Sequence, residues 1–183
     1  MAAALLVMPG GLRPALAEGH RTLTFFSGVQ TDDVWEDAIQ FWQAEFLRSG
    51  FVGVGLGHDL GQRGRFTFGV EGQIAQHFGL QSNMEINVPL VVRYHRAGRR
   101  LPALETMAFG LGLSWASEKP AAEVARDGDS AQVLIYWMAE VQFDLPNTEL
   151  EAVIRLHHRS DAYGLFDVDS GSNSWVLGLR KRY

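Results

Sequence analysis

From Glu149 onward the chain alternates. Leu150, Ala152, Ile154 and Leu156 fall on one parity, and Glu151, Val153, Arg155 and His157 on the other. A period of two marks a β-strand, whose successive side chains point to opposite faces. The apolar row runs on into His158 and Ser160, so these two share a face at the end of that strand. A loop rich in Gly, Asp and Ser follows, then a closing run over 173–183 that reads as a last strand.

The same pattern predicts six earlier strands, at about 22–29, 51–58, 65–78, 84–95, 103–115 and 132–144. In the second, Val52, Val54 and Leu56 alternate with Gly53, Gly55 and Gly57. This lacks the glycine spacing and following helix of a nucleotide loop, and glycines on one parity suit the inner wall of a narrow barrel. In the fourth, Pro89 removes a ladder donor, which predicts a local irregularity. Trp35, Ile39, Trp42 and Phe46 recur at helical spacing within 31–50. That segment is either a short amphipathic helix or a continuation of the flanking strands.

Connections after the second, fourth and sixth strands are short. Those after the first, fifth and seventh are long, and the one after the third is short to middling. Short turns at one end and long loops at the other are the wiring of an outer-membrane barrel, and strands of about ten residues suit a tilted crossing. A soluble, lipocalin-like barrel is the alternative, with its apolar parity turned inward. The polar parity decides against it. That row mixes Gly, Ala, Thr and Ser with Glu71, Glu85, Arg93, Glu140, Glu151 and Arg155. Small residues with a few charges suit the filled interior of an eight-stranded barrel, provided the charges pair. Large Phe, Leu, Val, Ile and Trp on the other parity suit lipid. The expected fold is therefore all-β: an eight-stranded antiparallel up-and-down transmembrane barrel over 18–183, ending in the aromatic Tyr183.

Composition narrows the function. The chain has 183 residues, 20 Gly, 11 Phe, 5 Trp and a net charge of -5, a balance that does not favour nucleic acid. It contains no cysteine, which excludes disulfides, zinc-thiolate sites and a cysteine nucleophile. His20, His58, His77 and His95 have no metal-ligand spacing, so no metal or other cofactor is expected. Residues 1–17 read as a secretory signal, with an apolar stretch over 2–8 and Ala15-Leu16-Ala17 as a cleavage-like site.

The candidate chemistry is the His158–Ser160 pair. A serine needs a base to become a nucleophile, and a histidine two residues away on a strand projects to the same side. With His157-His158-Arg159-Ser160 ending the penultimate strand, the chain resembles the lipid A 3-O-deacylase family of eight-stranded outer-membrane serine hydrolases. The resemblance implies that His158 is the general base, Ser160 the nucleophile, and lipid A or lipopolysaccharide in the outer membrane of a Gram-negative bacterium the partner. Two positions depart from the family pattern. Asp161 follows the serine where the family has Asn, and counting back to the family's acid in the last strand reaches Asn173, with Asp167 and Asp169 just before it. Asn173, or a loop acid such as Asp169, is the expected imidazole partner. Backbone N–H groups around Ala162 to Gly164 are the expected oxyanion donors. The alternative function is a non-catalytic structural or surface-interaction barrel that works through loops 31–50 and 117–130.

Overall fold

A computed structural model describes residues 20–96 and 104–183. The expected signal segment, 1–17, lies outside the described residues. The described residues form eight strands: β1 (Arg21–Thr31), β2 (Phe46–Arg63), β3 (Phe66–Phe78), β4 (Met84–His95), β5 (Leu104–Ala116), β6 (Val133–Asp144), β7 (Leu150–Ser160) and β8 (Gly171–Arg182). Each pairs antiparallel with its neighbours in sequence, and β8 returns to β1, so the sheet closes. Closure removes the free edges that an open sheet would present.

The parities fall as the side chains require. Phe25, Val54, Leu56, Phe68, Leu90 and Leu111 stand exposed on the outer wall, a lipid-facing pattern. Pro89 pairs in register with Gly112 of β5, where an added Cβ would lie 2.7 Å from the Pro89 Cα. On its other side, the partners of β3 and β4 skip Glu71 and Gly72, the irregularity expected at this proline.

Two expected boundaries move. β2 runs over 18 residues rather than 51–58, because Asp59 to Arg63 pair on past a bulge at Asp59/Gly61 and Phe46 already pairs with Thr31. The helical spacing in 31–50 is realised only as one turn, α1 (Trp35–Ala38), so Phe46 is strand and Trp42 is 80% exposed. A second helix, α2 (Ala121–Asp127), lies in the 117–130 connection.

The interior is filled by paired polar groups. Arg155 donates to Glu71 at 2.8 Å and to Glu140 at 2.6 Å. Arg180 donates to Glu140 at 2.6 Å and Glu71 at 3.2 Å, and its Nε donates to Thr24 at 2.8 Å. Arg93 joins Glu71 at 3.2 Å to Asp59 at 3.5 Å. Three guanidiniums thus face three carboxylates. Gly55 gives them room, since an added Cβ there would lie 3.1 Å from Glu71 Oε1. Nearer the long-loop end, Glu85 holds His77 Nε2 at 3.0 Å and His157 Nε2 at 2.8 Å, with the Phe51 ring against both imidazoles.

The loop end is clasped by α2, which starts after Pro120 and ends at Gly128 with φ 86°. Its buried Glu123 accepts from Ser130 at 2.5 Å, Ser172 at 2.7 Å and Arg159 at 3.2 Å. Beside it Arg126 pairs with Asp127 at 2.7 Å and donates to the Gly171 carbonyl, while Asp127 accepts from Ser170 at 3.1 Å. Burial pushes the Asp127 carboxyl up, but the Arg126 hydrogen bond and charge and the Ser170 hydrogen bond outweigh it and hold the group below the usual aspartate range.

Two outcomes follow. Glu140→Leu strips Arg155 and Arg180 of their shortest carboxylate contacts and costs roughly 3–5 kcal/mol of stability, read from urea unfolding of the lipid-inserted protein; a loss under about 1 kcal/mol would contradict a paired interior. Because the Asp127 pKa is lowered on folding, its contribution is present above the unfolded value of about 3.9 and is lost only as pH falls through the lower folded value. Amide exchange over 121–128 should therefore be unchanged between about pH 7 and 5 once corrected for intrinsic rates, and rise only below about pH 4.

Candidate active site

The β6, β7 and β8 registers assemble the site. His158 lies directly opposite Trp137 on one side and Asn173 on the other, and Asn173 lies opposite Thr31 of β1. Directly opposed residues on one face stand within side-chain reach. All point to the outer wall, yet His158 is only 6% exposed. The cover comes from the β1–β2 connection. Ala38 packs fully buried, Trp35 meets Trp137 edge-on at 6.0 Å, and Phe41 meets Trp175 at 5.4 Å. Trp175 Nε1 donates to the Ala38 carbonyl at 2.7 Å.

Within this shelter His158 Nδ1 lies 2.6 Å from Asn173 Oδ1, and Asn173 Nδ2 donates to the Asp33 carbonyl at 2.8 Å. A carbonyl only accepts, so Asn173 must turn its NH₂ to Asp33 and its oxygen to the imidazole. Nδ1 of the neutral ring then carries the proton, and the Nε2 lone pair is free. The ring is tilted against Trp137, 4.6 Å between centroids.

Ser160 sits one pleat further along the same face and lines the same cleft. Its hydroxyl accepts from Ala162 N at 3.3 Å, and no hydrogen bond joins it to His158 among the described residues. The loop beyond it is tightly wound: Ala162, Tyr163 and Gly164 take φ of 54°, 60° and 87°. Left-handed backbone at Ala and Tyr is strained by about 1–3 kcal/mol each, and here it brings the Ala162 N–H back over Ser160. Gly164 N is occupied by the Asp161 carboxylate, so Asp161 is turned into its own loop. Of the expected oxyanion donors, Ala162 N donates to the Ser160 oxygen and Gly164 N is engaged elsewhere. Asp169 lines the cleft, but neither it nor Asp167 hydrogen-bonds to His158.

The cleft has a volume of about 1100 Å³. One side is apolar, formed by Val34, Trp35, Ile39, Phe109, Leu111 and Trp137. The lining is also acidic: it includes Asp32, Asp33, Glu36, Asp127, Asp161 and Asp169 against one guanidinium, Arg126, which is itself paired with Asp127. Trp137 and Trp175 were absent from the sequence-derived site. Their signal was present as tryptophans on the outward parity of the same strands as the candidate residues, whereas the Asp33 carbonyl is backbone and leaves no trace in composition.

No protein-family profile matches this sequence, and neither does any curated protein sequence. Solved structures do share its fold. The outer membrane enzyme PagL superposes with a TM-score of 0.61 at 16% identity, covering 86% of this chain and 98% of that one. Neisserial surface protein A gives 0.51 at 10% identity over 91% and 98%. Ail of Yersinia pestis, in complex with the heparin analogue sucrose octasulfate, gives 0.50 at 14% identity over 90% and 99%. At these identities the likeness is one of architecture: the chain folds as a closed eight-stranded antiparallel barrel of the kind that outer-membrane proteins form, both enzymes and surface proteins.

Proposed function

We propose that this chain is an outer-membrane serine esterase that removes an ester-linked acyl chain from lipid A or a similar outer-leaflet lipid of a Gram-negative bacterium, with residues 1–17 as its export signal. One observation carries the reading: His158 is held by Asn173 with Nε2 free, beside Ser160 and at the head of an apolar cleft on the outer wall. The resemblance of the His-Arg-Ser end of β7 to lipid A 3-O-deacylases supports the same chemistry.

The steps use the chain's own groups. The first step requires Ser160 Oγ to turn toward His158 Nε2, its neighbour in the cleft lining. Oγ attacks the ester carbonyl carbon while Nε2 takes its proton, and Ala162 N–H donates to the oxyanion. The tetrahedral species collapses, the carbon–oxygen bond to the leaving alcohol breaks, and the imidazolium returns the proton to that oxygen. Water then attacks the acyl-serine, gives a proton to Nε2, and releases the fatty acid as Ser160 regains its hydrogen. Asn173 orients the ring without adding a negative charge, so this imidazolium is less stabilised than beside a carboxylate.

A second reading has specific support. The absent Ser160–His158 hydrogen bond and the amide at the acid position favour a non-catalytic surface barrel, working through loops 31–50 and 117–130. Mass spectrometry of outer-membrane lipid from cells making the wild type, His158→Ala and Ser160→Ala proteins separates the two. Loss of one acyl chain with the wild type alone is the expected result; identical lipids in all three, with each barrel folded and inserted, would favour the surface barrel. The acidic lining adds a second outcome. Near-surface like charges repel at short range and are screened by salt. At an ionic strength of about 0.01 M a zwitterionic ester lipid should be cleaved faster than a bis-phosphorylated one, and the gap should narrow at about 0.15 M as the screening length falls from about 30 to about 8 Å. A salt-independent ratio of rates would contradict it.

A further inference from the structure

We infer that the β1–β2 connection, seated by Trp175, is a positioning element of this site: its Asp33 carbonyl selects the imidazole tautomer of His158 by orienting the Asn173 amide. The inference rests on the esterase reading above and adds a condition under which the site works.

The reasoning begins with the chemistry of an amide. A carboxylate offers an acceptor whichever way it is turned, so it fixes a neighbouring Nδ1–H without help. An asparagine has one acceptor end and one donor end. With Oδ1 toward His158 it holds the proton on Nδ1 and leaves Nε2 basic. Turned over, its NH₂ would donate to Nδ1, place the proton on Nε2, and leave nothing there to accept from Ser160. What distinguishes the two orientations in this structure is the hydrogen bond from Asn173 Nδ2 to the Asp33 carbonyl, 2.8 Å.

Asp33 belongs to a segment that crosses outside the barrel wall. Its seat consists of the Trp175 Nε1 bond to the Ala38 carbonyl at 2.7 Å, the buried Ala38, and the edge-on contacts of Trp35 with Trp137 and Phe41 with Trp175. Trp175 lies opposite Leu156, and Asn173 opposite His158, on the same outward face. The anchor and the relay are therefore successive outward positions of β8. Without that seat, Asn173 loses the partner that orients it. Trp175 is a positioning residue rather than a catalytic one, since it touches the segment and not the reacting atoms.

The test is a double-variant cycle on the full chain in detergent or vesicles, with an acyl-ester substrate. Trp175→Phe keeps an aromatic side chain and removes the indole N–H donor; the loss of one hydrogen bond from the seat should lower kcat by about tenfold with KM little changed. In the Asn173→Asp background the same substitution should cost less than about twofold, because a carboxylate needs no orienting carbonyl. A readout independent of turnover is the carbethoxylation of His158 by diethyl pyrocarbonate, read by peptide mass spectrometry. Acylation needs an unprotonated, accessible nitrogen, so it should proceed at Nε2 in the wild type and several-fold more slowly in Trp175→Phe, where the proton moves to Nε2. Equal losses of kcat in both backgrounds, or unchanged His158 reactivity in Trp175→Phe, overturn the inference and leave the esterase reading intact. A wild-type protein that cleaves no acyl ester removes the esterase reading and this inference together.

Discussion

Three arginines and three carboxylates neutralise one another inside the barrel, and the rest of the molecule is arranged around that requirement. An eight-stranded barrel has no room for a water channel, so every inward side chain must be packed or paired. Glu71 and Glu140 draw Arg93, Arg155 and Arg180 into one network from five different strands, with Asp59 of β2 as the sixth member. Once Arg155 and His157 point inward to Glu140 and Glu85, the pleat turns Leu156, His158 and Ser160 outward. The placement of the candidate catalytic pair on the outer wall is a consequence of what fills the interior.

The outer wall is not uniform. Around β1 to β5 it is bare and apolar, whereas at β6 to β8 the β1–β2 connection folds back against it. That cover makes a polar pair tenable on a lipid-facing surface. An imidazole open to hydrocarbon would be left without partners, but beneath Ala38 and beside Trp137 it keeps a hydrogen bond to Asn173 and faces a cleft open to the loops. Inside the mouth, Glu123 of α2 ties Arg159 and Ser172 together, so the strand ends carrying His158, Ser160 and Asn173 are braced from the other face of the same sheet.

Much of this was legible in the sequence, and the reasons differ by feature. The strands and their facing could be read because a period of two survives wherever one face is apolar and the other small or charged, as in Met84–His95. Where both faces are polar or irregular the reading stops short. Asp59 to Arg63 looked like a turn because Gly and Asp cluster there, yet a bulge lets them pair on as strand. α2 carried its own signal in Pro120 and Gly128, seven helical residues apart, and a helix there is visible in hindsight from that punctuation. The opposition of His158 and Asn173 is a matter of register across a ten-residue loop, which no local pattern states. Counting along the last strand reached Asn173 only through the family resemblance. The Asp33 carbonyl, which orients it, is a backbone atom in a segment whose helical spacing predicted more helix than forms.

The central claim is that Ser160 is a nucleophile made reactive by His158, and an alkyl fluorophosphonate tests it most directly because it bonds covalently only to an activated serine. The folded wild-type barrel should gain one adduct, mapped by peptide mass spectrometry to Ser160, and His158→Ala should gain none. A wild-type barrel that stays unlabelled under conditions that label a known serine esterase, or that labels equally without His158, would contradict the account.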